Sequence, residues 1–319
     1  SASPGQTILV CPGTYAEEVN IDKPLTLNGP NAGISPNDAS NRRNPASRDP
    51  EAIVNPPSDK FAAFHIGADD VTIDGFTLNG DSNGDGTGDI LFGINNFDTA
   101  AGTYEETKNF TVTNNIVRDF ERFGIFVCNG NASCGASTSG ALTIGGKVST
   151  NRFVGIDGSS SGGGKAIAMQ VDGIIETVTN NVILTGTPVA GQTQTGIQTE
   201  NLGDVTDASG LTLTFSGNLI DVEDNGFFLN EHSPGAPAVL VTDNDVTATR
   251  GVLVSAMQAG TEPITIENST FISDEVTTFG TDSPADADTD PEPITGEAVR
   301  LNNVSGPVTL DGLTIESQR

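Results

Sequence analysis

The sequence predicts an all-β chain wound into a solenoid of parallel strands, a β-helix of roughly 8–10 coils in which each coil depends on its neighbours. Two observations carry this expectation. A short alternating apolar and polar run, an Asn, one or two apolar residues and then a Gly followed by an apolar residue recur along the chain, while helical i, i+3, i+4 spacing is nearly absent. Hydrophobic residues make up 35% of the chain, below the ordinary globular share but gathered in short regular groups rather than lost as in disorder.

The elements follow in chain order. Residues 5–29 (GQTILVCPGTYAEEVNIDKPLTLNG) hold the first coil, with an apolar run at 7–11 that places Cys11 as a small buried hydrophobe. Residues 71–78 (VTIDGFTL) are answered by Gly93 and Ile94, residues 109–116 (NFTVTNNI) by Gly124 and Ile125, and residues 176–183 (ETVTNNVI) by Gly196 and Ile197. Residues 211–220 (LTLTFSGNLI) are followed by Gly226 and Phe227, and residues 238–246 (AVLVTDNDV) by Gly251 and Val252, with partial copies at 264–268 and 308–315. The repeat Asn residues at 115, 151, 181, 218, 244 and 268 lie 24 to 37 residues apart, the variation expected when strands are constant and turns carry insertions. Asn tolerates the left-handed backbone at a sharp bend and can bond from coil to coil; Gly is expected to serve the other corner in the same way. The chain reads as one domain, 1–319, with loop insertions near 30–60, 80–108, 128–140, 156–164 and 275–295.

The first coil carries a resemblance. Gly13, Thr14, Tyr15, Glu17, Val19 and Ile21 form an element similar to one in the pectate-lyase-like, right-handed parallel β-helix superfamily, including pectin methylesterases. With the later repeats, the resemblance implies a right-handed parallel β-helix over most of the chain. It does not bring a catalytic set with it, since fold alone does not carry function. The chain has no Trp, Asn96-Phe97-Asp98-Thr99 lacks the partner segments of the esterases, and neither His65 nor His232 lies in a Gly-His-Gly setting. His232, beside a turn, reads as an ordinary exposed residue.

Charge narrows the partners. With 42 acidic against 14 basic side chains the net charge is −28, which disfavours nucleic acid and anionic membrane surfaces, and no stretch is long and apolar enough to insert in a membrane. Asp81, Asn83, Asp85, Thr87 and Asp89 alternate around Gly86 at the sixth position, a spacing suited to Ca²⁺, although Phe92 stands where the closing Glu of a complete loop is expected. Basic residues concentrate early in the chain, and Arg118, Arg122, Arg152 and Lys165 are placed by coil stacking at ~4.8 Å where they could share a face and bind a carboxylated sugar. Cys128 and Cys134 are spaced for a small disulfide in an oxidising compartment.

These readings point to a secreted or cell-surface, non-catalytic β-helix with a structural, filament-forming or adhesive role. It is expected to be stiffened by Ca²⁺ and to associate with itself head to tail through uncapped end coils. The alternative is a carbohydrate-active enzyme, a polysaccharide lyase or esterase on acidic polysaccharide, or a glycan-binding module. A groove lined by cationic and aromatic side chains would favour the alternative.

Overall fold

The computed structural model describes residues 2–98, 103–129, 145–156, 158, 163–184, 193–203, 208–273, 277–278, 293–294 and 297–317. Among them there is no helix, and the chain winds as a right-handed parallel β-helix of ten rungs. Three parallel sheets run along its length, two of ten strands and one of nine. Each complete rung gives one strand to each sheet. The fourth, for example, gives Thr111–Thr113 to the first, Ile116–Arg118 to the second and Phe123–Cys128 to the third.

Alternation within these strands turns one set of side chains inward, and the register stacks like on like. In the first sheet the inner column runs Leu27, Ile73, Val112, Val148, Val178, Phe215, Val241, Ile266. The second contributes Val54, Leu78, Val117, Phe153, Ile183, Ile220, Val246 and Phe271. The third contributes Phe64, Ile94, Ile125, Ile167, Ile197, Phe227 and Val252. All of them are buried. Each such side chain removed from water contributes about 1.5–3 kcal/mol, and only stacking makes the removal complete.

The bend from first to second sheet takes two residues. The first sits in the left-handed region at every rung from the third onward: Gly75, Asn114, Thr150, Asn180, Gly217, Asp243, Asn268 and Gly312. The second turns its side chain inward. Asn115, Asn151, Asn181, Asn218 and Asn244 form a fully buried ladder in which each backbone N–H donates to the side-chain oxygen of the next rung, at 2.9 to 3.2 Å, ending on Ser269 Oγ. The side-chain amides of Asn115, Asn151, Asn181 and Asn218 donate to the same oxygens. One register assignment is corrected here. Asn268 occupies the left-handed position, and Ser269 takes the ladder position expected of it.

The recurring glycines do a different job from the one expected. Gly124, Gly196, Gly226 and Gly251 lie within third-sheet strands with no positive φ. A Cβ there would drive into the Phe153, Ile220, Val246 and Phe271 side chains of the second sheet and into the carbonyl of the next rung. These residues are glycine because two sheets approach closely at the narrow corner of the coil.

The insertion between Leu25–Asn28 and Ala52–Val54 runs lengthwise along the solenoid as a strap. Arg48 donates to the Asn114 carbonyl (2.8 Å), Asn37 to the Asn151 carbonyl (3.3 Å) and Arg42 to the Asn181 carbonyl (3.0 Å). Arg43 reaches further still, pairing with Asp221 and donating to Thr247 Oγ1. The strap thus ties rungs four to eight together.

Candidate functional site

The outward face of the third sheet divides into two zones. Toward the N-terminus it is aromatic: Phe61, Phe92, Phe97, Tyr104, Phe123 and Phe126 pack ring to ring with centroids 4.4 to 5.6 Å apart, under the short hairpin Phe97–Asp98 with Thr103–Tyr104. Phe92, Phe123 and Phe126 are buried, so this zone is a second small core rather than a stacking platform. Burial holds the Tyr104 hydroxyl up at about 12.

Beyond Phe123 the face becomes polar and hollows into a cleft of about 500 Å³. Register explains its lining. The outward column that begins with Phe92 and Phe123 continues as Lys165, Thr195, Asn225 and Arg250, while parallel columns supply Gln198, Phe228 and Leu253, and Gln170 and Glu200. Arg122 enters from the residue before its strand. Its guanidinium carbon lies 5.0 Å from the centre of the Phe123 ring and the Lys165 ammonium 5.4 Å from the same centre, so both cations sit against that ring; the ammonium also donates to the Gly163 carbonyl at 3.5 Å. Burial first, and then the charge of Arg122, bring the Lys165 ammonium down to about 8 against the opposing pull of Glu200.

The rest of the cleft is held in place by polar contacts. Glu200 accepts from the Gln198 amide at 2.7 Å and from the Gln170 amide on the preceding rung. Arg250 sits 3.9 Å from Glu297 and donates to Asn225 Oδ1 at 3.4 Å. Asp224, behind Arg250, accepts from the Gln194 backbone N–H at 2.6 Å, and burial pushes its carboxyl upward.

Of the four cations expected to share a face, the structure brings together two. Arg122 and Lys165 line the cleft. Arg118 is exposed at the end of its second-sheet strand, 3.7 Å from Asp119, and is not part of the lining. Arg152 is buried on the second sheet and holds the strap, donating to Asn37 Oδ1 and to the Arg42 and Arg43 carbonyls at 3.4, 3.2 and 2.8 Å. It is therefore a clamp, and the reason is its sheet: Ile116 and Arg152 pair in the second sheet, Phe123 and Lys165 in the third.

In the loop from Asp81 to Asp89 the carboxylates are turned to the loop's own donors. Asp81 accepts from Gly84, Asp85 and Gly86, Asp89 from Ser82 and Asn83, and Asp85 from both donors of Thr87; Asn83 Oδ1 accepts from the Asp85 backbone. Among the described residues no three His, Cys, Asp or Glu side chains converge as a metal-binding group. Cys128 is disulfide-bonded, while Cys134, its expected partner, lies outside the described residues. Cys11 is an exposed free thiol, contrary to the buried one expected, and lies in the turn between the strands Gln6–Leu9 and Gly13–Tyr15. His232 is also corrected. It is buried, with Nε2 2.8 Å from Thr199 Oγ1, and burial takes its pKa down to about 4.

Sequence reading missed Gln170, Gln198, Glu200, Asn225, Phe228 and Arg250. A signal was present in the polar residues at the outward positions of otherwise apolar third-sheet strands, as in Gln194–Leu202 (QTGIQTENL). No family model matches the chain, and no curated protein matches it at a significant level. No described helix is long and apolar enough to cross a membrane.

Proposed function

We propose that this is an extracellular β-helix that binds an acidic polysaccharide on the outward face of its third sheet, in an adhesive or recognition role. One observation supports it above the rest: the net charge is −28, yet Arg122 and Lys165, both against the Phe123 ring, line a polar cleft. A strongly acidic chain repels polyanions over most of its surface, so a cationic pair set in a concave, amide-lined site favours selective capture of an anionic sugar. The disulfide at Cys128 supports an oxidising, extracellular setting. Kinship with the pectate-lyase-like superfamily is part of the same proposal and rests on the first-coil element and the parallel architecture.

The test is calorimetry with oligouronates on the intact protein and on Lys165→Met and Arg122→Met. Binding lost in both variants, with the circular dichroism unchanged, supports the reading. Equal binding by all three proteins, or none by the wild type, removes it.

A second reading is favoured by the Lys165 ammonium at about 8. A lysine that is partly neutral at mildly alkaline pH can take the proton α to a uronate carboxylate, with Arg122 holding that carboxylate, which is the first half of a β-elimination. Ultraviolet absorbance of an unsaturated uronate, appearing with wild type and not with Lys165→Met, would establish turnover; its absence with a bound uronate would leave binding alone.

Calcium at Asp81, Asn83, Asp85, Thr87 and Asp89 is a separate proposal, supported by ligand spacing. It requires Asp81 and Asp89 to exchange amide donors for the cation. A melting temperature raised by Ca²⁺ and lowered again by chelator, and insensitive to both in Asp85→Ala, would support it.

A further inference from the structure

We propose that His65, Glu105 and Asn95 form a binding site for one Zn²⁺ ion, set where the second and third rungs meet the segment that follows the hairpin Phe97–Asp98 with Thr103–Tyr104. None of the three lines the cleft, so the site is separate from it.

Alternation and register assemble the site. Phe64 and Ile66 belong to the core, so His65 between them faces outward, and Asn95 is its partner on the next rung, about 4.8 Å along the solenoid. Glu105 reaches this column from outside. Its backbone N–H donates to the Asn96 carbonyl and its carbonyl accepts from the Asn96 amide, each at 2.7 Å, and its Oε2 stands 3.6 Å from His65 Nε2. Gly67 makes the room. Its φ is not positive, and a Cβ there would overlap Glu105 Oε2 and come within 3.1 Å of His65 Nε2.

Three features point to a metal ion. First, at 3.6 Å the imidazole nitrogen and the carboxylate oxygen are beyond hydrogen-bond reach of each other, whereas two donors sharing one tetrahedral ion stand roughly 3.3–3.5 Å apart. Second, Asn95 is 1% exposed and neither atom of its amide has a hydrogen-bond partner among the described residues; His65 is 8% exposed and its Nδ1 has none either. Unpaired polar groups are costly to bury, and two of them side by side mark a place where a bound species supplies the missing bonds. Third, an imidazole, a carboxylate and an amide oxygen make a mixed nitrogen and oxygen set, which suits Zn²⁺ better than the all-oxygen shell of Ca²⁺. Only two His or acidic side chains converge here, and the Asn95 oxygen completes the set as a neutral third donor. The net charge of −28 draws cations to the chain, and Glu105, with 34% of its side chain exposed, leaves a way in and a position for water.

The test is titration of the chelator-stripped whole chain with Zn²⁺ by calorimetry, and with Co²⁺, whose visible absorption reports the donor set. Millimolar Ca²⁺ fills hard-cation sites, and Cys11→Ser is the parent throughout so that the exposed thiol takes no metal. One equivalent is expected to bind at micromolar concentration. Glu105→Gln, which keeps the shape of a partly exposed side chain, should weaken it about a hundredfold and His65→Gln should abolish it; Asn95→Ala should weaken it about tenfold and Asn95→Asp tighten it. His232→Asn should leave it unchanged, because that imidazole is engaged with Thr199. Should His65→Gln fail to fold, Glu105→Gln and Asn95→Asp still decide the matter. No saturable binding of Zn²⁺ or Co²⁺ by the parent, or binding unchanged in Glu105→Gln, would overturn the site and leave ordered water as the partner of Asn95 and His65. Binding unchanged in both Asn95 variants would overturn the three-donor assignment.

Discussion

Replacing Asn181 by alanine tests the interlocking of rungs most directly, because adjacent residues in its bend predict opposite outcomes. The Asn181 side chain makes four buried hydrogen bonds. Its oxygen accepts from the Asn151 backbone N–H at 3.0 Å and the Asn151 amide at 3.1 Å, and its amide donates to the Val148 carbonyl at 3.0 Å and Asn218 Oδ1 at 3.1 Å. Two of those partners keep other bonds after the substitution: the Asn151 amide still reaches the Val112 and Ser149 carbonyls, and Asn218 Oδ1 still accepts from the Asn181 backbone. The Asn151 N–H loses its acceptor and Val148 loses a donor. At about 1–3 kcal/mol for each orphaned group, and with a small cavity added, the loss should be roughly 4 kcal/mol. By contrast, Asn180 has φ of 57°, a region that glycine enters without penalty, and its counterpart on the next rung is Gly217. Asn180→Gly should therefore change stability by less than about 0.5 kcal/mol. Guanidinium unfolding followed by far-ultraviolet circular dichroism measures both, with hydrogen exchange at rungs five and six to detect local opening. A loss below about 1 kcal/mol in Asn181→Ala, or a larger loss in Asn180→Gly, would refute the ladder as an energetic feature.

Other expected outcomes follow from the same structure. Burial lowers His232 from 6.5 to about 4, so the unfolded chain takes up this proton first on acidification. The stability this residue contributes is complete above pH 6.5 and falls by roughly 3 kcal/mol as pH drops to about 4; an acid titration of unfolding free energy should show that component in wild type and lose it in His232→Asn. Arg152→Ala removes three bonds to the strap and should cost about 2–4 kcal/mol, with proteolytic cleavage appearing first between residues 37 and 48. Cleavage elsewhere would contradict the clamp. Gly226→Val drives side-chain carbons into Val246 and the Gly251 carbonyl, so it should lower the unfolding midpoint strongly or abolish soluble expression, whereas Gly260→Ala, in open surroundings, should cost only the strain of its positive φ, about 1 kcal/mol.

The fold was legible because a solenoid is built from local, repeated constraints. Thr111, Val112 and Thr113 show their inward and outward faces by alternation alone, and the Asn after the strand reports a bend that must be paired across rungs. The errors came where one letter can serve two purposes. In the text Glu267-Asn268-Ser269, Asn suits both the left-handed position and the ladder, and only register shows that Ser269 is the inward residue. Gly124 and Gly75 look alike as letters, yet one is glycine for want of space between sheets with no positive φ, and the other because its φ of 79° is combined with the Asn31–Ala32 backbone passing where a Cβ would sit.

The candidate site was half legible for a related reason. Spacing placed Arg118, Arg122, Arg152 and Lys165 on neighbouring coils, but a coil has three outward faces and a linear count does not say which one a residue meets. Arg152 and Lys165 are 13 positions apart and belong to different sheets, whereas Lys165 and Arg250 are 85 apart and share a column. By itself the sequence determined the period, the inward apolar columns, the acidic balance and the bend chemistry, since all of these are properties of neighbours along the chain. Only the tertiary structure decided that Arg122 and Lys165 both lie against the Phe123 ring, that Arg152 instead binds a strap, and that the Glu200 charge acts on Lys165. Those juxtapositions depend on strand register summed over whole coils, with insertions of unequal length between them, and no local pattern encodes that sum.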